Sequence, residues 1–257
     1  MDGKINMSVK IICPYLDDRD ILPIKEKCWD LPIYFEKDHA GIGSDMMYQK
    51  LWNKFSEDDI FIMHSDMFPL DDDEDNKWFS SLLSYVEKYQ NASIFGCLLL
   101  YPAKDENENM YIQSAGGKFT EGTPDHFGSG LCMATKGKFK EELELDTGQY
   151  DYVREVAWTT FGGVYIRREV FNKLGNFSPE YEWTYNRDVD YCLSARKAGF
   201  KIYQIPVKLL HIESKDNKII KASDSYKVKA EMRNLETLKK KCENTEFYKT
   251  LDEKVDD

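Results

Sequence analysis

The chain alternates between short apolar runs and longer stretches with helical spacing. "SVKIICPYL" (8–16) is β-branched, apolar and closed by a proline region, and it predicts a buried first strand. The polar stretch "DDRDILPIKEKCWD" leads to a second strand, "LPIYFEKD" (31–38), and then to a glycine-marked loop, "HAGIG" (39–43). Ser44 stands where a helix cap belongs, and Met47, Leu51 and Phe55 fall on one face of "SDMMYQKLWNKF". "DDIFIMHSD" predicts a third strand. "DDDEDNKWFSSLLSYVEKY" predicts an amphipathic helix with Trp78, Leu82, Tyr85 and Tyr89 in register. The acids Asp71–Asp75 at its start suit a helix N-terminus without any metal. "ASIFGCLLLY" (92–101) is a fourth strand.

Strand, helix, strand, helix, strand predicts an α/β fold with a mostly parallel sheet flanked by helices. Ligands of such sheets sit beyond the C-terminal strand ends, where Pro14, Tyr15, Asp38, His64 and Asp66 lie. From 102 to 157 the sequence is glycine-rich and broken, as in "SAGGKF" and "FGSG", and reads as an excursion over the site. Its expected mobile part is 134–150. Order returns with "FGGVYIRREVFNKLGNF" (161–177), a strand and a short helix ending at Gly175. The helix "DVDYCLSARKAG" follows, with Lys197 in its last turn and Gly199 at its cap, then the strand "FKIYQIP" and the segment "VKLLHIES". The expected organisation is a domain over 1–214, with a nucleotide-binding half (1–101) and an acceptor half (102–214), and a helical extension over 215–257. Met232, Leu235 and Leu238 share a face of that tail, which either packs back on the domain or joins two copies as a homodimer.

Composition narrows the function. At 257 residues and 42% hydrophobic, the chain can build a large core. No stretch reaches the roughly 18 apolar residues of a membrane helix. The start, "MDGKINMSVK", lacks the apolar core of a signal peptide, so a cytoplasmic location is expected. The six cysteines are scattered without a CxxC pair, which argues for buried free thiols. A net charge of −11 repels nucleic-acid phosphates, yet one divalent ion can still hold a diphosphate.

Three polar groups stand out against that background. Taken alone, Asp66 suits a turn, Asp188 and Asp190 suit a helix N-terminus, and His211 suits a core histidine bonded to backbone. Together they suit sugar transfer from a nucleoside diphosphate. Asp66 and His211 can hold a divalent ion, and an imidazole ligand moves the preference from Mg²⁺ toward Mn²⁺. Asp188 can take the proton of an acceptor hydroxyl.

With "HSD" (64–66), "LLYPAKDENENMYIQSAG", "FGGVYIRREVFNKLGNFSPEY", "RDVDYCLSARKAGFKI" and "LLHIES" in this order, the chain from about Ser8 to Ser214 resembles glycosyltransferase family 2. The likeness is to its rhamnosyltransferase-like, non-processive members, which are inverting and have the GT-A fold. The resemblance implies a nucleotide-sugar donor, Mn²⁺ or Mg²⁺, and a glycan or other hydroxyl acceptor. It implies metal binding by Asp66 and His211, a base at Asp188 and a supporting acid at Asp190. It implies a donor pocket that includes Pro14, Tyr15, Gly43, His64, Gly162 and Gly163, with Glu36 and Asp38 competing to read the nucleotide. Trp158, Trp183 and Tyr185 are candidate acceptor-stacking faces. Arg187, where the family has glutamate, either holds Asp188 ionised or reaches an anionic acceptor. His64 stands where the family has an acid. Absence of a "QxxRW" motif disfavours processive polymer synthesis. Two other readings remain: a non-catalytic carbohydrate- or partner-binding module, and a sugar-1-phosphate nucleotidyltransferase, which would want a glycine-rich basic loop where this chain has "CPYLDDRD".

Overall fold

A computed structural model describes residues 8–70, 73, 75–105, 107–120, 122–128, 130–131, 143–182, 186–212, 224–242 and 251–255. Strand β1 (Val9–Tyr15) pairs in parallel with β2 (Ile33–Lys37) on one side and β3 (Asp59–Ile62) on the other. Ile11, Ile12, Ile60, Phe61 and Ile62 have no exposed surface, because a central parallel strand is covered on both faces. β2, at the sheet edge, is half-buried along its length.

The fourth apolar run, β5 (Ile94–Lys104), points the same way as β1 and β3 but does not touch β3. Between them lies β11 (Val164–Ile166), antiparallel to both. β12 (Ile202–His211) runs parallel to β5 on its other side. The sheet ends in β10 (Arg154–Val156) and β13 (Asp252–Lys254), each antiparallel to its neighbours. Two short strands attach off this path, β4 (Met67–Pro69) against β12 and β6 (Met110–Ser114) against β5. The fold is thus α/β with a large, mainly parallel sheet. The direction of β11 was not legible, since a buried strand of either sense reads as the same apolar run.

Pro206 explains a second difference. The runs read as "FKIYQIP" and the start of "VKLLHIES" belong to one strand, Ile202–His211, whose register against β5 shifts between Ile205 and Lys208. Proline has no N–H to give a ladder, so it occupies the bulge instead of ending the strand. The 102–157 excursion is also more regular than expected. Besides β6 it forms a small sheet of β7 (Gly117–Thr120), β8 (Thr123–His126) and β9 (Gly130–Leu131). Gly117 is required there: a Cβ would lie 2.1 Å from the Trp158 ring. Of the expected mobile part, 134–142 lies outside the described residues. Residues 143–150 are tied down, with Glu144 O accepting from Ile112 N and Asp146 N donating to Met110 O, each at 2.8 Å.

Helix α1 (Leu22–Lys27) lies within the stretch read as a polar connection. α2 (Ser44–Lys54) begins at Ser44 itself, with Gly43 as its cap at φ +87°. α3 (Lys77–Lys88) lays Trp78 and Phe79 against Phe61, ring centroids 5.4 and 6.4 Å apart. Asp73 Oδ1 accepts from Trp78 N at 2.8 Å, so this acid serves the start of α3. α4 (Arg168–Leu174) closes at Gly175, and α5 (Arg187–Lys197) is followed by Gly199 at φ +95°. α2, α4 and α5 meet around Trp52, which touches Phe171, Phe177 and Tyr191 at 4.8, 4.8 and 5.8 Å.

The tail helix α6 (Asp224–Cys242) packs back on the domain, burying Ala230, Leu235 and Leu238 while Met232 stays 46% exposed. The chain's last strand, β13, is an edge of the central sheet, so 215–257 is more than a helical extension. Cys13, Cys28, Cys97 and Cys192 are buried free thiols. Among the described residues no helix is long and apolar enough to cross a membrane.

Candidate functional site

β3 ends at Ile62, and the turn after it carries His64 and Asp66 to the C-terminal edge of the sheet. β4 then pairs with the end of β12, setting Met67 opposite His211, while Ile212 N donates to Asp66 O at 3.0 Å. This register brings together residues far apart in sequence. His211 Nε2 lies 3.2 Å from Asp66 Oδ1 and 3.4 Å from His64 Nδ1, and one ligand atom of each of the three lies within 4.8 Å of the others.

The electrostatics suit a cation. His211 Nδ1 is 2.5 Å from Gln113 Oε1. An amide oxygen only accepts, so Nδ1 carries the proton and Nε2 keeps its lone pair toward Asp66 and His64. Burial, helped by the nearby His211, pushes the His64 pKa down to about 4, leaving a neutral imidazole ligand. Burial raises the Asp66 carboxyl, but the imidazoles of His211 and His64 beside it outweigh that and bring its pKa to about 2. A neutral imidazole, a second imidazole with its tautomer fixed from behind, and an ionised carboxylate form a donor set that fits a divalent ion.

His64 and Asp66 border a cavity of about 410 Å³ whose walls also include Pro14, Tyr15, Asp38, Gly43 and Tyr48. The Tyr48 ring is stacked over His64 at 5.8 Å. Asp38 holds the loop of this wall, its carboxylate accepting from Ile42 N at 3.1 Å and Gly43 N at 2.9 Å. Glu36 is engaged outside the cavity wall by Lys50 Nζ at 2.8 Å and Tyr34 Oη at 2.9 Å. Of the two acids, Asp38 faces the cavity.

Residues 160–163 touch both the triad and Asp188. A Cβ on Gly162 would lie 3.2 Å from His64 Cε1, and Gly163 adopts φ +67° against Leu99, Leu209 and Met67. From the same segment, the Phe161 backbone and the Thr160 hydroxyl hydrogen-bond Asp188. Burial raises the Asp188 pKa to about 6, and these bonds, with Val189 N at 2.9 Å, only partly oppose it.

Arg187 bonds outside both roles expected of it. It turns to the first turn of α2, where its Nε is 3.9 Å from Asp45 Oδ2, and its Nη2 donates to Tyr181 O at 2.6 Å. Asp190 is buried and bound by Lys241 Nζ of α6 at 3.2 Å. Trp158 is 1% exposed, its ring against His126 and its Nε1 donating to Lys118 O at 2.9 Å, so it offers no open face to a sugar. Trp183 and Tyr185 lie outside the described residues. Gln113, Tyr48 and Thr160 were not singled out from sequence. A glutamine inside the strand "MYIQS" was the available signal for the first, and nothing marked the other two.

No family model matches the chain, and no curated protein matches it. Among solved structures, GalNAc-T7 with UDP, GalNAc and Mn²⁺ is similar at TM-score 0.51 and 11% identity, over 80% of this chain and 43% of that one. This chain therefore spans less than half of that protein's length. A197 from STIV is similar at TM-score 0.47 and 13% identity, over 81% of this chain and 87% of that one. At such identities the likeness is one of fold, and the fold of this chain is GT-A-like.

Proposed function

We propose that the chain is an inverting glycosyltransferase of the family 2 kind, moving a sugar from a nucleoside-diphosphate donor to an acceptor hydroxyl. The observation that carries this reading is the meeting of His64, Asp66 and His211 at the edge of the strand-end cavity, joined through residues 160–163 to the half-buried Asp188. GalNAc-T7, whose fold this chain shares, was solved with UDP, GalNAc and Mn²⁺, which supports a nucleotide sugar as the cavity's ligand.

His64, Asp66 and His211 would hold the divalent ion, which when bound supplies Lewis-acid neutralisation of the departing diphosphate. Two imidazoles in the set favour Mn²⁺ over Mg²⁺. Pro14, Tyr15 and Asp38 line the donor's nucleotide end, and Gly43 and Gly162 leave room for close approach of backbone to donor. Asp188 accepts the proton of the acceptor hydroxyl as that oxygen attacks the anomeric carbon. A pKa near 6 suits the task, because the group is ionised at neutral pH yet basic enough to hold the proton. The hydrogen bonds from Phe161 and Thr160 fix its direction.

The test is release of free nucleotide from UDP-, GDP- and dTDP-sugars with Mn²⁺, repeated with chelator and with Asp188→Asn. Turnover of one donor, abolished by chelator and cut roughly 10²–10⁴-fold by the variant, is expected. Binding of a donor without release, with or without sugar acceptors, would make the chain a binding module instead.

A further inference from the structure

The tail beyond the family resemblance is bonded to the segment that leads into the Asp188 helix. Asn234, 1% exposed, clasps the backbone of one residue: its Oδ1 accepts from Glu182 N at 2.8 Å and its Nδ2 donates to Glu182 O at 2.6 Å. Arg233 forks onto the Glu182 carboxylate at 2.8 and 2.7 Å. About two turns along, Lys241 Nζ reaches Ser178 Oγ at 2.9 Å, Glu180 Oε2 at 3.0 Å and Asp190 Oδ2 at 3.2 Å. Ala230, Asn234, Leu238 and Lys241 fall along one stripe of a helix with 3.6 residues per turn.

These contacts have an uneven distribution that needs explaining. A helix that only capped the core would bury apolar side chains, as Ala230, Leu235 and Leu238 do. α6 adds a buried amide and two cations, which bond Ser178, Glu180, Glu182 and Asp190. Those residues bracket Asp188, and Asp190 is one of the two acids in the first turn of its helix. Asn186, just before that helix, is held at φ +64° and accepts from Asp190 N at 3.0 Å. The chain entering α5 is thus fixed at both ends of a short span.

We infer that Asn234 and Lys241 are positioning residues for Asp188: docking of α6 sets the angle at which the base helix enters the site. The inference rests on the function proposed above, and it concerns kcat. The donor cavity is walled by β1 and the loop after it, α2 and the β3–β4 turn, and the α6 bonds described above go to none of these, so donor KM is expected to be independent of the clasp. A displacement of the base by an ångström is enough to lower turnover by about a hundredfold.

The experiment compares Asn234→Ala, Lys241→Met and Lys241→Arg with the wild-type chain. Hydrogen exchange of the Glu182 amide and of the 178–190 region is read alongside kcat and donor KM, well below each variant's Tm. Asn234→Ala should speed exchange at Glu182 at least tenfold and lower kcat by about 10–100-fold with donor KM within twofold. Lys241→Met should lower kcat in the same way, and Lys241→Arg should restore most of it by keeping the cation. A folded Asn234→Ala with faster exchange and wild-type kcat would overturn the inference, leaving α6 a structural clamp. Unchanged exchange at Glu182 would overturn the clasp itself. If the wild-type chain releases nucleotide from no donor, the functional reading fails, and the exchange data still decide whether the clasp exists.

Discussion

Gln113 offers a sharp test of the site because it lies behind His211 and outside the cavity wall, yet fixes the orientation of that imidazole. Its Oε1 stands 2.5 Å from His211 Nδ1 and dictates which imidazole nitrogen carries the proton. In Gln113→Leu that acceptor is gone, and His211 is free to move its proton to Nε2. There it would donate to Asp66 Oδ1, 3.2 Å away, satisfying both groups without a metal. The ion must then compete with a closed hydrogen bond. A hydrogen bond of this kind is worth about 1–3 kcal/mol where a charged partner is involved. Loss of an outer partner of a ligating histidine weakens metal binding about 10–100-fold, or about 1.4–2.8 kcal/mol, so the two routes agree. The assay is calorimetric titration of Mn²⁺ into metal-stripped protein at pH 7.5. Circular dichroism establishes that the variant is folded, and Gln113→Glu serves as the partner that can still accept from Nδ1. A folded Gln113→Leu that binds Mn²⁺ within twofold of wild type would refute the argument that the tautomer of His211 is set from behind.

Other consequences are equally direct. Since burial lifts the Asp188 pKa to about 6, kcat/KM should rise about tenfold per pH unit below pH 6 and level off above it, as steady-state rates across pH 4.5–8 will show. The same shift has a stability sign: a carboxyl whose folded pKa exceeds its unfolded value destabilises the fold as pH rises between the two, from about 4 to about 6. Asp188→Asn should therefore be more stable at pH 8 than wild type by up to about 3 kcal/mol, and urea melts at pH 4 and pH 8 should show that gain shrinking in acid. Gly162→Ala places a Cβ 3.1–3.3 Å from Met67 and the His64 ring, so it should weaken Mn²⁺ binding several-fold in the same titration while the Tm moves little. Asp252→Ala removes the 2.7 Å partner of Arg154, a cation only 1% exposed, and should lower stability by about 1–3 kcal/mol in a urea melt.

The sequence exposed some of this and hid the rest for identifiable reasons. β1, β3 and β5 were legible because a strand covered on both faces must be apolar throughout, and the glycines after α4 and α5 marked where those helices stop. His64, Asp66 and His211 could be named because strand-end polar residues break an apolar run. Their meeting was not derivable from spacing, since it depends on β4 pairing with β12 across a long separation. The direction of Arg187 was illegible for a similar reason. Its partner Asp45 lies on α2, and local sequence places the arginine beside Asp188, not facing the neighbouring helix. Asn234 sits in a mostly charged tail whose sequence left packing back on the domain and self-association both open, and a buried amide bonded to main chain leaves no periodic trace.

The place of β11 in the sheet bears on how the molecule is made. Its neighbours β3 and β5 belong to the first 104 residues, but β11 does not exist until residue 166 has been synthesised. A chain that ordered β3 and β5 before then would leave a slot between two apolar strands, with main-chain donors and acceptors unmet on both of its walls. Long-range pairings of this kind form slowly and leave intermediates open to misassociation. The expected halves, 1–101 and 102–214, are interleaved in one sheet. Neither piece holds a complete sheet, and a nascent chain cut short before β11 would be a client for chaperones, not a smaller folded domain.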